Sequence, residues 1–472
     1  MNLFRLLPSI DKLLGRMAED PELRGLPRAL LRDLANDFLD VVREEIRAGT
    51  AGADDLDEAR LLPRALAFVR VRSKPRFRRV LNATGVVIHT NLGRSNLPDS
   101  AVEAVARAAR DYSNLEFDLS TGKRGSRYSH VEELLCRITG AEAALVVNNN
   151  ASAVLLTLQT LARDREAIVS RGELVEIGGS FRIPDVMARS GARLVEVGAT
   201  NRTHPRDYEN AITGETGLLL KVHASNFRIV GFSKEVSLEE LVGIGRAHSI
   251  PVMEDLGSGN FVDFTALGIP LDEPTVQRRV AAGADVVTFS GDKVLGGPQA
   301  GLIVGRREYV DRIKRNPVSR AMRIDKMTLA ALEAVLRLYL EPERALREIP
   351  TLAMITAGAD ELKNKARSLR RRLSRDLAGR ARLSLKPGSS RVGGGSFPEC
   401  DLPTTLVAVE PQAPVTAEAL REALLATEPP LVGRVEDDAF LLDPRTLRRD
   451  EFPLAGSSLD QALESLGAAK ES

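Results

Sequence analysis

A lysine lies just after an apolar, β-type segment in VVTFSGDKVLGGPQAG, residues 286–301. A lysine must be uncharged to attack a carbonyl carbon, and a partly desolvated pocket lowers its pKa toward that state. Schiff-base formation is the usual chemistry of such a lysine. Lys293 is therefore a candidate nucleophile, although a single lysine after a strand could equally lie on the surface.

A carboxylate ends another apolar segment earlier in the chain. Asp255 lies in HSIPVMEDLGSG, at the end of a predicted strand. A carboxylate in this position can pair with a protonated pyridine nitrogen and keep the ring of a cofactor electron-poor. Taken alone, Asp255 could also serve as a helix or turn cap.

A third feature suits a phosphate group. The segment ALVVNNNASAVLLTL predicts a strand that turns into a helix at Asn149, Asn150 and Ala151. The first backbone N–H groups of a helix are unpaired and suit an anion, although asparagine also caps helices that bind nothing. Ser290 can donate a further hydrogen bond, and the glycine pair 296–297 lets the backbone turn closely past a ligand.

Phosphate, ring-nitrogen and lysine sites thus occur together at predicted strand ends. This combination predicts an enzyme that uses pyridoxal 5'-phosphate, bound at the carboxyl ends of parallel strands. His223, followed by Asn226, could stack on the cofactor ring or carry a proton, or could simply pack against its neighbours. Asp292 could orient either Lys293 or an incoming anion.

These residues must be positioned by an α/β fold. Seven β-branched segments alternate with helical patterns between about residues 80 and 310: AALVVNN, AIVSRG, RLVEVG, GLLLKVH, PVMEDLG, DVVTFSG and GLIVG. Such alternation predicts a mostly parallel sheet with helices on both faces. We expect an aspartate-aminotransferase-like fold with a helical N-terminal domain and a smaller α+β C-terminal domain.

The domain boundaries follow from changes in this pattern. We predict a helical domain over residues 1–69, a basic linker over 70–80, a catalytic core over 81–335 and a C-terminal domain over 336–472. The linker RVRSKPRFRRV contains no acid, so it is either solvated or a contact for phosphates. The segment SLRRRLSRDLAGRAR, residues 368–382, is a second basic candidate with the same two interpretations.

Composition excludes several classes of protein. The chain has 472 residues, a net charge of +1, two cysteines and 4% aromatic residues. These values fit a cytoplasmic protein without a disulfide framework, a multi-cysteine metal site or an aromatic platform for stacking bases. The absence of a long uninterrupted apolar segment predicts no membrane span, and neither a membrane nor DNA is an expected partner.

Long segments of the chain resemble a known family. They include LNATGVVIHTNLGRS (81–95), YSNLEFDLSTGKRGSRYSHVEELLCRITGAEAALVVNNNASAVLL (112–156) and SRGELVEIGGSFRIPDVM (170–187). EDLGSG, SGDKVLGGPQAG, NPVSRAMRIDKMTLAALEA and RVGGGSFP continue the match. The chain resembles the bacterial selenocysteine synthases, the L-seryl-tRNA(Sec) selenium transferases, over almost its whole length.

The resemblance implies a reaction. Serine carried on tRNA(Sec) would bind to pyridoxal phosphate in place of Lys293, lose its α-proton and then lose water from its β-carbon. Selenium from selenophosphate would add to the resulting dehydroalanyl (aminoacrylyl) group and give selenocysteinyl-tRNA(Sec). Lys293 and Asp292 are the catalytic candidates, and the group that removes the α-proton stays open.

The resemblance also assigns partners. Arg94, Arg320 and Arg323 match the positions that the family uses for the selenium-donor anion, and an arginine fork suits a phosphate-like oxyanion. The family places tRNA recognition in the N-terminal domain and assembles as a decamer, a pentamer of dimers. Two alternatives remain open: another pyridoxal-phosphate lyase of this fold that acts on a small amino or sugar acid, and a non-catalytic RNA-binding relative.

Overall fold

The computed structural model describes residues 2–177, 181–223, 227, 229–377 and 379–468. The chain forms two compact units, Met1–Arg79 and Val80–Ser472. The division lies within the basic segment 70–80, and the further boundary expected near residue 335 stays a prediction. No helix in the described part of the chain is long and apolar enough to cross a membrane.

In the described residues, the first unit has three α-helices around one small core, with two short 3-10 helices at Leu3–Leu6 and Asp54–Leu56. The α-helices are α1 (Ile10–Glu19), α2 (Arg28–Ala48) and α3 (Glu58–Ser73). Their buried apolar residues recur at three- and four-residue spacing, for example Leu31, Leu34, Phe38 and Val42 on α2. This spacing places them on one face of each helix, as the sequence pattern predicted.

Helix α3 continues into the basic segment and pairs its cations with acids of the same unit. Arg70 donates hydrogen bonds to the Asp20 carboxylate from Nε at 3.1 Å and from Nη2 at 2.5 Å. Arg72 lies 3.8 Å from the carboxylate of Asp37. Part of the positive charge that the sequence shows at residues 70–80 is therefore neutralised locally.

The second unit contains the strands and the remaining helices. Its strands are β1 (Leu81–Asn82), β2 (Val86–Ile88), β3 (Phe117–Asp118), β4 (Lys123–Arg124), β5 (Ala143–Val147), β6 (Glu166–Ser170), β7 (Glu176–Ile177), β8 (Phe181–Arg182), β9 (Arg193–Val197), β10 (Thr216–Val222), β11 (Val252–Gly257), β12 (Val286–Ser290), β13 (Gly301–Gly305), β14 (Ala381–Gly393), β15 (Ser396–Pro411), β16 (Leu431–Val432), β17 (Arg434–Glu436) and β18 (Ala439–Leu442).

The helices of this unit lie between and beyond those strands. They are α4 (Asp99–Arg110), α5 (Ser129–Thr139), α6 (Asn150–Leu161), α7 (Ile183–Ser190), α8 (Pro205–Ala211), α9 (Leu238–His248), α10 (Val276–Ala281), α11 (Arg307–Arg315), α12 (Lys326–Leu338), α13 (Pro342–Glu348), α14 (Pro350–Thr356), α15 (Ala359–Asp376), α16 (Ala417–Leu424) and α17 (Phe452–Ala468).

The central sheet has the order β5-β13-β12-β11-β10-β6-β9 within the described residues. Strand β13 is antiparallel to both of its neighbours, and the other pairs are parallel. One face packs on α5, α9, α10 and α12, and the other packs on α6, α7 and α11. The seven predicted segments are the strands of this sheet, which confirms the expected α/β architecture.

A second sheet, of order β17-β18-β15-β14-β2 in the described residues, belongs to the C-terminal part of the chain. Its last strand comes from far earlier in sequence, because β2 pairs in parallel with β14 and aligns Val86 with Arg391 and Ile88 with Gly393. Helices α15, α16 and α17 cover this sheet with a separate apolar core. Val87 and Ile88 of β2 belong to the apolar core that packs on the central sheet, and β2 leads the chain toward residues 89–95.

A buried polar network supports the second sheet. Asp443, which is fully buried, accepts hydrogen bonds from the hydroxyls of Ser390 at 2.7 Å and Thr404 at 3.0 Å. Arg445 donates to the same Ser390 hydroxyl at 2.8 Å and to the carbonyl oxygens of Met354 at 2.6 Å and Pro403 at 2.8 Å. Because buried polar groups are costly when unpaired, each member of this network depends on the others.

We therefore expect Arg445→Met to destabilise the second unit strongly. The substitution removes the cation that offsets the buried Asp443 charge and leaves the carbonyl oxygens of Met354 and Pro403 without this donor, a change that typically costs about 3–5 kcal/mol. Urea unfolding followed by circular dichroism measures the loss. Arg382→Met is the matched control, since Arg382 is exposed and lies 3.8 Å from Glu410, and we expect it to change stability by less than about 0.5 kcal/mol. Equal midpoints for the two variants would contradict the role of the network.

Candidate active site

The predicted site residues meet at the carboxyl edge of the central sheet. Strand β11 ends next to Asp255, β12 ends at Ser290 just before Lys293, and β5 leads through Asn149 into α6. Neighbouring parallel strands bring these ends to one edge, where open α/β sheets bind their ligands. The structure therefore brings together the lysine, the carboxylate and the helix start that the sequence singled out.

Lys293 is held rigidly by its backbone. The hydroxyl of Ser95 donates to the Lys293 carbonyl oxygen at 2.6 Å, and the N–H of Val294 donates to the Ser258 carbonyl oxygen at 3.1 Å. Gly259 adopts a φ of +70°, and a side chain there would collide with the Ser290 carbonyl oxygen. The tight turn that carries Lys293 thus needs a glycine on the neighbouring segment.

The side chain of Lys293 is almost completely buried, with 6% of its surface exposed. Burial lowers its pKa; the negative charge of Asp255 opposes this effect and the Arg94 guanidinium adds to it. A lysine in this environment reaches its neutral, nucleophilic form more easily than a lysine in water. The buried setting expected from the sequence is present.

Asp255 lies on β11, next to the strand β12 that leads to Lys293, and is buried as deeply as the lysine. Its Oδ1 accepts hydrogen bonds from Asn150 Nδ2 at 2.9 Å and from Thr288 Oγ1 at 3.3 Å. Burial raises the pKa of this carboxyl, while Asn150, Lys293 and Thr288 act in the opposite direction. A cation placed against Asp255 would add to those opposing effects and favour its ionised form.

The start of helix α6 is shaped as an anion site. Asn149 caps the helix, and its side chain accepts a hydrogen bond from the Ser152 N–H at 2.8 Å. A side chain at Gly301, on the adjacent strand β13, would collide with the backbone of Asn149. Gly301 therefore lets the strand lie against the helix start, where Asn150 is half-buried and Ala151 is exposed. Ser290 is buried at the end of β12.

Arg94 reaches the same edge from the loop after β2. Its Nη1 lies 2.7 Å from Asp292 Oδ2, and the backbone N–H of Ser95 donates to the Asp292 carbonyl oxygen at 3.3 Å. Arg94 itself has a φ of 63°, which is uncommon for a residue other than glycine. The sequence proposed Arg94 and Asp292 separately, and the structure joins them in one ion pair beside Lys293.

The two later arginines have different surroundings. The backbone of Arg323 bridges to Val147 at the end of β5, and its Nη1 lies 3.3 Å from Glu116 Oε1. Arg320 is exposed at the end of a short 3-10 turn, Pro317–Arg320. Within this chain, Arg94 alone of the proposed trio contacts a residue adjacent to Lys293 among the contacts the structure describes.

His223 follows β10 directly and lies next to Asp255 in the sheet. Its backbone N–H donates to the Asp255 carbonyl oxygen at 2.9 Å. Burial lowers the pKa of its imidazole to about 4, and the positive charges of Arg279, Lys221 and Lys293 act in the same direction. The imidazole is therefore neutral near pH 7. A neutral ring suits stacking on a flat cofactor ring better than it suits holding an anion. Asn226, the other residue expected here, lies outside the described residues.

The sequence reasoning missed a buried carboxyl near the lysine. Glu273 is 6% exposed, and its Oε2 accepts a hydrogen bond from the Phe397 N–H at 3.2 Å. Burial raises the pKa of Glu273, while the neighbouring Ser258 hydroxyl, the Phe397 N–H and the Lys293 charge lower it. Glu273 lies in a loop segment without a strand or helix pattern, so no local sequence signal marked it.

A second set of buried charges lies on the opposite face of the sheet from Asp255. Lys221 on β10 aligns with Glu254 on β11, and its Nζ lies 3.1 Å from Glu173 Oε1. Burial raises the pKa of Glu254 to about 7, against the charges of Arg279 and Lys221. The sequence offered one signal for this buried charge cluster, namely the charged residues inside the apolar segments GLLLKVH and PVMEDLG. An apolar strand seldom holds an unpaired charge.

The residues at this edge fit pyridoxal phosphate. Asn150 Oδ1, at the start of α6, is buried and has no hydrogen-bond partner within the described chain. A buried polar atom without a partner is costly, and the donor group of a bound polar ligand would satisfy it. A nucleophilic lysine, a buried carboxylate and a helix start are the donors and acceptors that a phosphorylated pyridine aldehyde requires.

Comparison with known proteins identifies relatives over the whole chain. The family model described as L-seryl-tRNA selenium transferase matches residues 80–448, and the model described as selenocysteine synthase N terminal matches residues 4–43. Two relatives are both named L-seryl-tRNA(Sec) selenium transferase. The protein of Nitratidesulfovibrio vulgaris is 66% identical over 466 residues, covering 98% of this chain and 99% of its own length. The protein of Maridesulfovibrio salexigens is 64% identical over 464 residues, covering 98% and 100%.

The fold also matches a solved structure. A structure of D-glucosaminate-6-phosphate ammonia-lyase superposes with a TM-score of 0.57 at 23% identity, covering 82% of this chain and 96% of that chain. This match concerns the fold alone. Together with the strand order and the single antiparallel strand β13 of the described sheet, it confirms the expected aspartate-aminotransferase-like fold class.

The environment of His223 leads to a test by NMR. We expect its imidazole to stay neutral from pH 8 down to pH 5 in the cofactor-free protein, because burial lowers its pKa to about 4. Histidine-selective labelling and a pH titration measure this, and His223→Asn assigns the resonance among the five histidines. A midpoint for that resonance above pH 6 would show that the ring is solvated and overturn the geometry described here.

Proposed function

The chain belongs to the L-seryl-tRNA selenium transferase family, and from this premise we propose that it converts L-seryl-tRNA(Sec) to L-selenocysteinyl-tRNA(Sec). It is a transferase, and its cofactor is pyridoxal phosphate. The observation that carries the proposal is the near full-length identity to proteins of that name, which extends over the segment around Lys293. The proposal includes selenophosphate as the selenium donor and elimination of water from the serine β-carbon before selenium is added.

Residues of the described site would hold the cofactor. Lys293 would attach it, Asp255 would pair with the ring nitrogen, and His223 would cover the ring. The start of α6 with Asn149, Asn150 and Ala151, together with Ser290, would bind the phosphate; Asn226 belongs to the same proposed set. When bound, pyridoxal phosphate supplies an electron sink that stabilises negative charge at the α-carbon of the substrate.

Lys293 has a second task in this proposal, as an acid and base. Burial lowers its pKa, so its amine can accept and return a proton near neutral pH more readily than an exposed lysine can. The buried Glu273 lies close enough for its charge to affect Lys293, and this places a second proton-holding group beside the lysine. Which of these groups takes the α-proton is left open by the proposal.

Arg94, Arg320 and Arg323 would bind the selenium-donor anion. The 2.7 Å pair between Arg94 and Asp292 supports this for Arg94, because the carboxylate orients the guanidinium next to Lys293. Asp292 would thus act by positioning Arg94 as well as by its proximity to the lysine. The ester link of a seryl-tRNA also removes the carboxylate that a free amino acid would present, so no separate arginine is needed for it.

The proposal assigns tRNA binding to the helical unit at residues 1–69, followed by the basic linker 70–80. The match of residues 4–43 to the selenocysteine synthase N-terminal model supports this assignment. The protein would act in the cytoplasm, where aminoacylated tRNA is used.

The proposal also includes assembly into a decamer, a pentamer of dimers. Tyr112, Phe117 and Leu119 leave large apolar side chains exposed on one segment of the second unit, and contact with another copy would cover them. These exposed side chains support an oligomer without fixing its stoichiometry.

Incubation with seryl-tRNA(Sec) and selenophosphate tests the proposal. We expect the purified protein to yield selenocysteinyl-tRNA(Sec), identified by mass spectrometry of the released amino acid. Lys293→Ala is the matched variant. It should lose both the product and the borohydride-fixed cofactor adduct, since it lacks the amine that would attach the cofactor. A fixed adduct of normal yield in that variant would refute the role of Lys293, and unreacted seryl-tRNA with the wild-type protein would refute the function.

The arginine assignment makes a separate prediction. Arg94→Gln, Arg320→Gln and Arg323→Gln should each lower selenium transfer roughly 10- to 100-fold, because a charge-assisted hydrogen bond contributes about 1.5–3 kcal/mol. Cofactor content, measured by absorbance, should stay at the wild-type level. Arg189→Gln, an exposed arginine elsewhere in the second unit, should leave both quantities unchanged. Wild-type transfer by the triple variant would contradict the assignment.

A further inference from the structure

Helix α15 (Ala359–Asp376) carries a stripe of positive charge on its outer face. Its buried residues, Leu362, Ala366, Leu369 and Leu373, recur on one side and pack into the core beneath the second sheet. The opposite side exposes five cations, which are Lys363, Arg367, Arg370, Arg371 and Arg375. Lys363, Arg367, Arg371 and Arg375 follow one another at four-residue spacing and therefore form a row along the helix. Arg370 lies three residues after Arg367 and borders the same row.

None of these five cations forms an ion pair within the described chain. Arg367 donates only to the neutral Asn364 side chain, at 3.3 Å. Between Glu361 and Asp376 the helix contains no acidic residue, and Asp376 is already engaged by Arg372 at 2.8 Å. The outer face of α15 therefore presents charge that the protein itself does not neutralise.

This arrangement is unfavourable for the helix alone. Like charges four residues apart, such as 363 with 367 and 371 with 375, destabilise a helix by a few tenths of a kcal/mol per pair. Other helices of the chain use the same spacing for attraction, as in Arg337 with Glu333 at 2.7 Å and Arg344 with Glu348 at 2.9 Å. A row of repulsive pairs indicates that the charges serve a partner outside the chain.

The comparison with residues 70–80 strengthens this interpretation. That segment is the more basic one in the sequence, but its Arg70 and Arg72 are paired with Asp20 and Asp37. In α15 the sequence contains similar charge and the structure leaves five of the cations unpaired. Among the described residues, the outer face of α15 thus brings five cations without an ion pair together on one helix, whereas Arg70 and Arg72 are neutralised by nearby acids.

We propose that the outer face of α15 binds the phosphate backbone of RNA, and in this enzyme the backbone of the tRNA substrate. That the RNA is the tRNA substrate rests on the proposed function. That the partner is an RNA backbone rests on the charges of α15 alone. Successive cations lie about 6 Å apart along the helix axis, a spacing comparable to that of successive phosphates in a strand. The face has no aromatic side chain, so it contacts phosphates and not bases, and its binding is independent of sequence.

A lipid surface fits this face less well. A helix that lies on a membrane buries an apolar side in the lipid, and the apolar side of α15 is already buried against the protein by Leu362, Leu369 and Leu373. An RNA backbone needs only the exposed cations. The partner class that the geometry favours is thus a nucleic-acid strand.

The test compares two variants that each remove four charges from the full-length holoenzyme. The α15 variant combines Lys363→Gln, Arg367→Gln, Arg371→Gln and Arg375→Gln. The control variant combines Arg110→Gln, Arg189→Gln, Arg202→Gln and Arg206→Gln, which are exposed and have no ion pair among the described residues. Binding of a tRNA(Sec) transcript and of an unrelated tRNA is measured by fluorescence anisotropy over a range of salt concentrations.

We expect the α15 variant to bind both tRNAs at least tenfold more weakly at moderate salt. The slope of log affinity against log salt concentration should fall by about 3, since each phosphate contact contributes roughly 0.7–0.9. The control variant should keep the wild-type slope. The thermal midpoint and cofactor absorbance of the α15 variant verify that it folds. The double variant Lys363→Gln/Arg367→Gln should show about half of the slope change.

Two outcomes would overturn the inference. One is an α15 variant with the slope of the wild type, whether or not selenium transfer occurs. The other is an unchanged affinity for tRNA combined with a loss of binding to phosphatidylserine vesicles. Failure of the proposed function looks different, because the wild-type protein would then bind tRNA through α15 and yet form no selenocysteinyl product.

Discussion

The structure depends on burying Lys293 and Asp255 together at the carboxyl edge of one sheet. Removing either charge from water alone would cost several kcal/mol, and each reduces that cost for the other. Their positions are fixed by the register of β11 with β12, which aligns Asp255 with Thr288, and by the turn that follows Ser290. Small residues around this turn are a consequence, since Gly259 and Gly301 stand where any side chain would collide with backbone.

Segments far from Lys293 in sequence also contribute to the buried site around it. Strand β2 belongs to the C-terminal sheet, yet the loop that follows it brings Arg94 to Asp292. The Phe397 N–H, from the hairpin of that sheet, donates to Glu273, whose charge also affects Lys293. The C-terminal sheet therefore affects the pKa of Lys293 in two ways, through Arg94 and through the Glu273 carboxyl that Phe397 holds. Buried networks of this kind are stable only when most of their members are paired, and the Asp443–Arg445 network meets this condition in the same sheet through Ser390 on β14 and Thr404 on β15.

Much of this arrangement was predictable from local pattern. The β-branched segments identified every strand of the central sheet, because strand period and length are local properties. Lys293, Asp255 and the Asn149 turn were recognisable since each is a polar residue at the end of an apolar run. Glu273 was not, because it lies in an irregular segment. The pairings of Arg94 with Asp292 and of Arg323 with Glu116 were also not predictable, since both join residues far apart in sequence.

The sequence by itself determined the family, the fold class and the residue types of the site, since these follow from order and spacing along the chain. Only the tertiary structure decided which charges are neutralised. Residues 70–80 and α15 look alike as basic runs, yet Arg70 and Arg72 pair with Asp20 and Asp37, while the five outward-facing cations of α15 pair with no acid among the described residues. The reason is physical: an ion pair depends on distance in space, and the fold alone sets that distance.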